Sequence, residues 1–327
     1  MEQIVWQPAC DQRHLRLRAQ MLADIRMFFH KRDVLEVETP LLCATTGTDP
    51  QLDFFVTQLN AAPNYPHLYL QTSPEFAMKR LLAAGCGSIY QICKAFRNGE
   101  SGRLHNPEFT LLEWYRLDYA LPALMTEVAE LLKVLLDKAL PTLQIKHVTY
   151  QQLFHDATGL DALEFNLTRY QAFAQTRGYS EAADLCGKQP VLWLDFLFSH
   201  CVQPAMPQNT LLLVADYPSR LSSLARVSSK DQRLSERFEV FINGVELGNG
   251  YFELTDATEQ SARFDQEIAY RHQQGLKTVE KDQRLLSALK AGLPDCSGVA
   301  IGLDRLLMFI TESRHIDEVL AFPLNIA

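Results

Sequence analysis

Asn243-Gly244 stands between two runs of strand-forming residues, 236–242 and 245–253. Asn-Gly is the strongest short-range hairpin signal, because both residues accept the positive φ of a tight turn. It predicts an antiparallel pair. The same punctuation recurs earlier. Residues 89–96 and 108–116 read as strands, and between them lies a polar loop carrying Gly99 and Gly102. Strands that return on themselves predict an α+β fold: a mainly antiparallel sheet with helices packed on it. The helices are expected at 12–32, 75–82, 122–140, 255–274 and 303–311, with helical stretches broken at Gly159 and Gly178 in 149–190. A short strand is expected at 211–214, another at 299–301, and strand-like alternation over 33–40. Ser73-Pro74-Glu75 reads as a helix start, with Ser73 as cap. The glycines at 248 and 250 predict a bulge or kink there.

The 327 residues show no repeat or linker and are expected to form a single catalytic domain, 1–327. No apolar run approaches the ~18 residues of a membrane helix, and the N-terminus lacks the pattern of a secretory signal. Seven scattered cysteines without a C-x-x-C pair suit reduced thiols, so a cytoplasmic protein is expected. A net charge of −8 disfavours a broad nucleic-acid-binding surface. P-loop, G-x-G-x-x-G, H-E-x-x-H and G-x-S-x-G motifs are absent.

Three segments carry candidate chemistry. With Asn243-Gly244 as a two-residue turn, Phe241 faces Glu246 and Glu239 faces Gly248. Glu239 and Glu246 are then diagonal neighbours on one face, roughly 5–8 Å apart. Two carboxylates that close need a cation or proton between them, and Mg2+ bridging phosphates is a natural one. The bland alternative is a pair of solvated glutamates. The second segment runs from Arg97 to Phe109, where a strand ending in Arg leads into a loop with Arg103 and His105. An Arg fork suits phosphate oxygens. On the following strand Glu113 and Tyr115 share a face and could hold an ammonium group. The third is Gly298–Arg305, a strand, a glycine and a helix with an early Arg, which brings a cation and free N–H groups to one spot.

Taken together and in this order, these segments resemble the signature motifs of class II aminoacyl-tRNA synthetases. Val37-Glu-Thr-Pro40 resembles motif 1, Phe96-Arg97 through Tyr115 motif 2, and Gly302-Leu-Asp-Arg305 motif 3. The strings Leu35-Glu-Val-Glu-Thr-Pro40, Thr72-Ser-Pro-Glu75, His105-Asn-Pro-Glu-Phe-Thr110 and Glu246-Leu-Gly-Asn-Gly250 place the likeness nearest the lysyl-tRNA synthetase subgroup. The first helix is expected within a dozen residues of Met1, so no N-terminal anticodon-binding OB-fold is expected. Gly102 through Arg116 also resembles the paralogues that ligate (R)-β-lysine to a lysine of elongation factor P.

The resemblance implies roles. Arg97 would meet the α-phosphate of ATP and Arg305 the γ-phosphate. Asn98, Gly99, Asn106 and Gly302 would line the ATP site. Glu246 and Leu247 would hold ATP and metal, with Glu239 sharing the Mg2+. Ser73, Pro74, Glu75, Glu113, Tyr115, Asn249, Tyr251, Glu253 and Ala300 would shape the amino-acid pocket. Arg97, Glu246 and Arg305 would be catalytic. Expected partners are ATP, lysine or β-lysine, elongation factor P and a second copy through motif 1; tRNA and membrane are not expected. A trimmed synthetase acting on tRNA or a small amine, and an inactive paralogue serving as a binding module, are the rival readings. The sequence departs from the pattern twice: Gly99 stands where motif 2 usually has Glu, and Ala300 where lysyl-tRNA synthetases have Gly. Arg13, Arg16, Arg18 and Lys79-Arg80 are basic candidates for partner docking, or simply solvated faces.

Overall fold

The computed structural model describes residues 6–60 and 67–327. These form two compact units, one of residues up to Pro141 together with Glu253–Ala327, the other Thr142–Phe252. In chain order the first unit opens with α1 (Gln12–His30), capped by Asp11, which accepts from the His14 N–H. Short strands β1 (Leu35–Glu36), β2 (Leu42–Cys43), β3 (Val56–Thr57) and β4 (Leu68–Leu70) follow. Then come α2 (Glu75–Ala83), β5 (Ile89–Phe96), β6 (Glu108–Leu117) and α3 (Leu121–Leu136).

The second unit contains β7 (Gln144–Thr149), α4 (Tyr150–Thr158), α5 (Leu167–Thr176), α6 (Ala182–Cys186), α7 (Pro190–Leu197), β8 (Thr210–Pro218), β9 (Leu234–Ile242) and β10 (Val245–Phe252). The chain completes the first unit with α8 (Ala257–Gln273), α9 (Gln283–Gly292), β11 (Cys296–Gly302) and α10 (Leu303–Thr311).

In the first unit the strand order is β1-β5-β6-β11, antiparallel except for the β1–β5 edge. A small sheet β2-β4-β3 accompanies it. Phe29 of α1 stacks on Tyr90 at 4.4 Å and meets Trp114 edge-on at 5.3 Å, so an apolar helix face is pinned to the sheet. The alternation over 33–40 yields only the two-residue β1, whose partner β5 runs parallel.

In the second unit the order is β10-β9-β8-β7, with β7 and β8 parallel. The aromatic core lies between these strands and α4–α7; Tyr150 stacks on Phe198 at 4.9 Å. Asn243 and Gly244 both adopt positive φ, 52° and 76°, and join Ile242 to Val245 as expected. A Cβ on Gly244 would sit 2.5 Å from the Gln203 carbonyl oxygen, so close approach also demands glycine there.

One register expectation is corrected. The ladder runs regularly through Gly248, Asn249 and Gly250, opposite Val240, Glu239 and Phe238. The irregularity lies earlier, between Glu246 and Gly248, with Leu247 as the extra residue. Glu239 therefore faces Asn249, not Gly248.

Candidate active site

The bulge at Leu247 decides which side chains meet in the second unit. Arg237, Glu239 and Phe241 alternate on one face of β9. Their partners across the ladder are Tyr251, Asn249 and Glu246. Residues directly opposite share a face, so Glu246, Asn249 and Tyr251 lie together with Glu239. Without the extra residue Glu246 would point the other way. Leu247 itself is buried.

Arg237 organises this group and was not anticipated. Its guanidinium donates to Glu239 Oε1 at 2.5 Å and to Asn249 Oδ1 at 3.3 Å, and it also bonds the Leu221 carbonyl. Asn249 Nδ2 donates to the Tyr251 hydroxyl at 2.7 Å. The structure thus supplies a cation beside the two carboxylates: Arg237 pairs with Glu239 and also feels the Glu246 charge. A dyad pattern shows the acids of a strand pair, but the arginine's role depends on packing. Burial and the neighbouring Glu239 charge hold the Tyr217 phenol well above its ordinary value.

In the first unit, two clusters form on β5, β6, β11 and α10. At the end of β5, Arg97 lies 5.1 Å from the Phe109 ring centroid and 3.7 Å from Glu100; its Nε is buried and has no hydrogen-bond partner among the described residues. Gly99 has φ +80°, and its Cβ position is open space. A left-handed turn therefore explains the glycine, and the next residue, Glu100, supplies the carboxylate beside Arg97. Asn98 is bound to Asp53 through both backbone and side chain, the latter at 2.6 Å. Asn106 donates to the Glu108 carbonyl and accepts from the Leu324 N–H.

Gly302 precedes α10, whose first turn carries Arg305. Arg305 donates through Nε to the Leu104 carbonyl and lies 2.5 Å from His105 Nε2. Burial, then the Arg305 charge, pushes the His105 pKa down, which favours the neutral ring that can accept. Asp304 anchors the same turn: it accepts from Arg18 at 2.5 Å and from the Thr110 N–H at 2.7 Å. Arg18 is therefore a structural partner of α10 and not a docking or solvated cation.

The second cluster is a buried acidic pocket. Ser73 Oγ accepts the Glu75 N–H and donates to Glu113 Oε2 at 2.8 Å. Pro74 is the N-cap residue of α2, one position after the expected cap Ser73, and Ser73 still accepts the Glu75 N–H. The Tyr115 hydroxyl donates to Glu113 Oε1 at 2.6 Å. Lys79, one turn along α2, lies 2.5 Å from Glu75 and 2.6 Å from Glu253. Only 2% of its side chain is exposed, so Lys79 is neither a docking residue nor a solvated one. On β11, Ala300 stands opposite Glu113 and Gly298 opposite Tyr115. A Cβ at Gly298 would sit 2.3 Å from the Tyr115 ring and 2.6 Å from Glu253, which explains that glycine. Burial, then the Glu75 charge, pushes Glu113 up to about 8, and burial pushes Glu253 up to about 7 against the pull of Lys79.

Among the described residues no three His, Cys, Asp or Glu side chains gather to hold a metal. Two carboxylates on one face, with remaining coordination from phosphate and water, do fit Mg2+.

The tRNA synthetases class II (D, K and N) family model matches residues 7–326, and the chain belongs to that family. The match runs through both units. Among curated proteins, the chain is 46% identical to elongation factor P–(R)-β-lysine ligase of Vibrio parahaemolyticus, over 98% of this chain and 99% of that one. The proteins of the same name from Photobacterium profundum and an Enterobacter species are 45% and 44% identical, over 98% and 99% of this chain and 99% of each of theirs.

Proposed function

We propose that this protein activates (R)-β-lysine, and less well α-lysine, with ATP and transfers it to the ε-amino group of a lysine in elongation factor P. The observation that carries this reading is the buried pocket of Glu75, Glu113, Glu253 and Lys79, in a chain alike over its whole length to ligases of that name. Buried carboxylates favour a ligand that brings ammonium groups.

In the first step the substrate carboxylate attacks the α-phosphorus of ATP and pyrophosphate leaves. Arg97, whose buried Nε has no hydrogen-bond partner among the described residues, is suited to the α-phosphate, and Arg305, oriented by His105 and Leu104, to the γ-phosphate. Their work is positioning and charge neutralisation, with little covalent chemistry for the protein. Glu246 and Glu239 would hold Mg2+, which neutralises phosphate charge when bound. In the second step a neutral lysine amine of the acceptor attacks the mixed anhydride and AMP leaves. Asn98 and Asn106 act on the nucleotide by fixing their loop, since both amides are engaged within the protein.

A homodimer belongs to this reading. α1 and the strands after it leave Met27, Leu35, Leu42 and Val56 half exposed, an apolar set suited to a second copy. No helix among the described residues is long and apolar enough to cross a membrane, and a cytoplasmic role beside elongation factor P fits.

ATP–pyrophosphate exchange with β-lysine, α-lysine and no amino acid, then addition of elongation factor P or tRNA, tests the proposal. Exchange preferring β-lysine and a mass gain on the factor support it. Transfer only to tRNA would make the chain a trimmed synthetase, and no exchange would leave a binding module.

A further inference from the structure

The acidic pocket holds three carboxylates and one ammonium. Glu75 and Glu253 share Lys79, at 2.5 and 2.6 Å. Glu113 receives only the neutral hydroxyls of Ser73 and Tyr115, and among the described residues no cation pairs with it. All three carboxylates and Lys79 are buried or nearly so. A carboxylate enclosed without a counter-charge is expensive, and the cheapest remedy is a proton.

Among the described residues, the groups facing Glu113 from the neighbouring strands are neutral. From β5 come Gln91, opposite Glu113, and Cys93, a thiol pushed up to about 12 by burial and the Glu113 charge. From β6 comes Tyr115, held neutral by burial. From β11 come Gly298 and Ala300. Beyond Glu75 stands Glu267 of α8, an acid itself raised to about 7 by burial.

We infer that Lys79 is a specificity-determining positioning residue: as the pocket's internal counter-ion it leaves two negative charges to be met, so a substrate with two ammonium groups displaces one proton from Glu113 into solvent, and a substrate with one does not. The count is simple. One ammonium against three carboxylates leaves two, which lysine and β-lysine match and a neutral-tailed isostere such as norleucine cannot. No bond other than O–H changes: Glu113 gives its proton to the buffer as the second ammonium takes its place. This inference rests on the reading of the pocket as the amino-acid site.

Calorimetric titration of the intact protein with β-lysine, α-lysine and norleucine, near neutral pH in two buffers of different ionisation enthalpy, tests it. Close to one proton should be released per diamine and none for norleucine. Below pH ~8 the diamine Kd should tighten about five- to tenfold per unit rise in pH, since the proton competes with the ammonium. In Lys79→Met the proton count should change and the amino-acid KM rise at least ~10-fold with kcat little altered, and Lys79→Arg should restore both. Diamine binding with no proton release overturns the inference alone. So does a folded Lys79→Met that keeps the wild-type proton count and diamine selectivity. If neither diamine binds or supports exchange, the functional reading falls and the inference with it. Should Lys79→Met fail to fold, the proton count of the intact protein decides.

Discussion

Ala300 lies directly across the β6–β11 ladder from Glu113, so its methyl group and the pocket carboxyl share one face of the sheet. Glycine there would remove a methyl from the side of the pocket that, under the proposed function, would receive the ammonium. Ala300→Gly is expected to shift the ratio of kcat/KM for β-lysine over α-lysine toward α-lysine by roughly fivefold, the ~1 kcal/mol typical of one methyl in a pocket. An unchanged ratio would remove Ala300 from the specificity determinants.

Gly298 allows the Tyr115 ring and Glu253 to close on β11. Gly298→Ala must displace one of them, and overpacking of this kind costs about 1–3 kcal/mol. The amino-acid KM should rise at least ~10-fold with the ATP KM held. An ATP-side defect of equal size would mean that the strain spreads beyond the pocket.

His105 can orient Arg305 only while its ring is neutral. Burial and the Arg305 charge lower its pKa, so the neutral ring persists to lower pH than an ordinary histidine's. The ATP KM should therefore be flat around neutral pH and climb only once the pH falls below the ordinary histidine range. His105→Asn should flatten the acid limb. A variant that keeps it would assign the limb to another group.

Arg237 and Glu239 form a mostly buried pair. Arg237→Met strands the Glu239 carboxylate and should cost about 3–5 kcal/mol in denaturant unfolding. Arg237→Met with Glu239→Gln should recover at least half of that loss. No recovery would show that the lost contacts to Asn249 and Leu221, rather than the stranded charge, dominate.

Local signals carried much of the fold. β5 spans residues 89–96, α10 spans 303–311, and Asn243-Gly244 turns the β9–β10 pair, all as the periodicity predicts. What local signals could not reveal depends on distant partners. β7 is polar, largely exposed and paired only along one side, in parallel with β8, so it shows no hydrophobic alternation. α9 packs against α2, a contact no window of sequence displays. Lys79 reads as the partner of a helical neighbour, Glu75, which is usually a solvated pair; in the fold it is buried, and its second partner, Glu253, lies far along the chain. That β10 carries a bulge was legible in its glycines. The glycines drew that bulge one residue too late, to Gly248, because backbone freedom marks where a ladder can break, not where it does.

The extra residue at Leu247 makes the count of residues in β10 heritable information in its own right. A one-codon deletion or insertion between Glu246 and Asn249 would invert the phase of everything beyond it, turning Asn249 and Tyr251 away from Glu246 without changing either. A two-codon change would preserve that phase. Descent along this strand is thus constrained in parity as well as in identity.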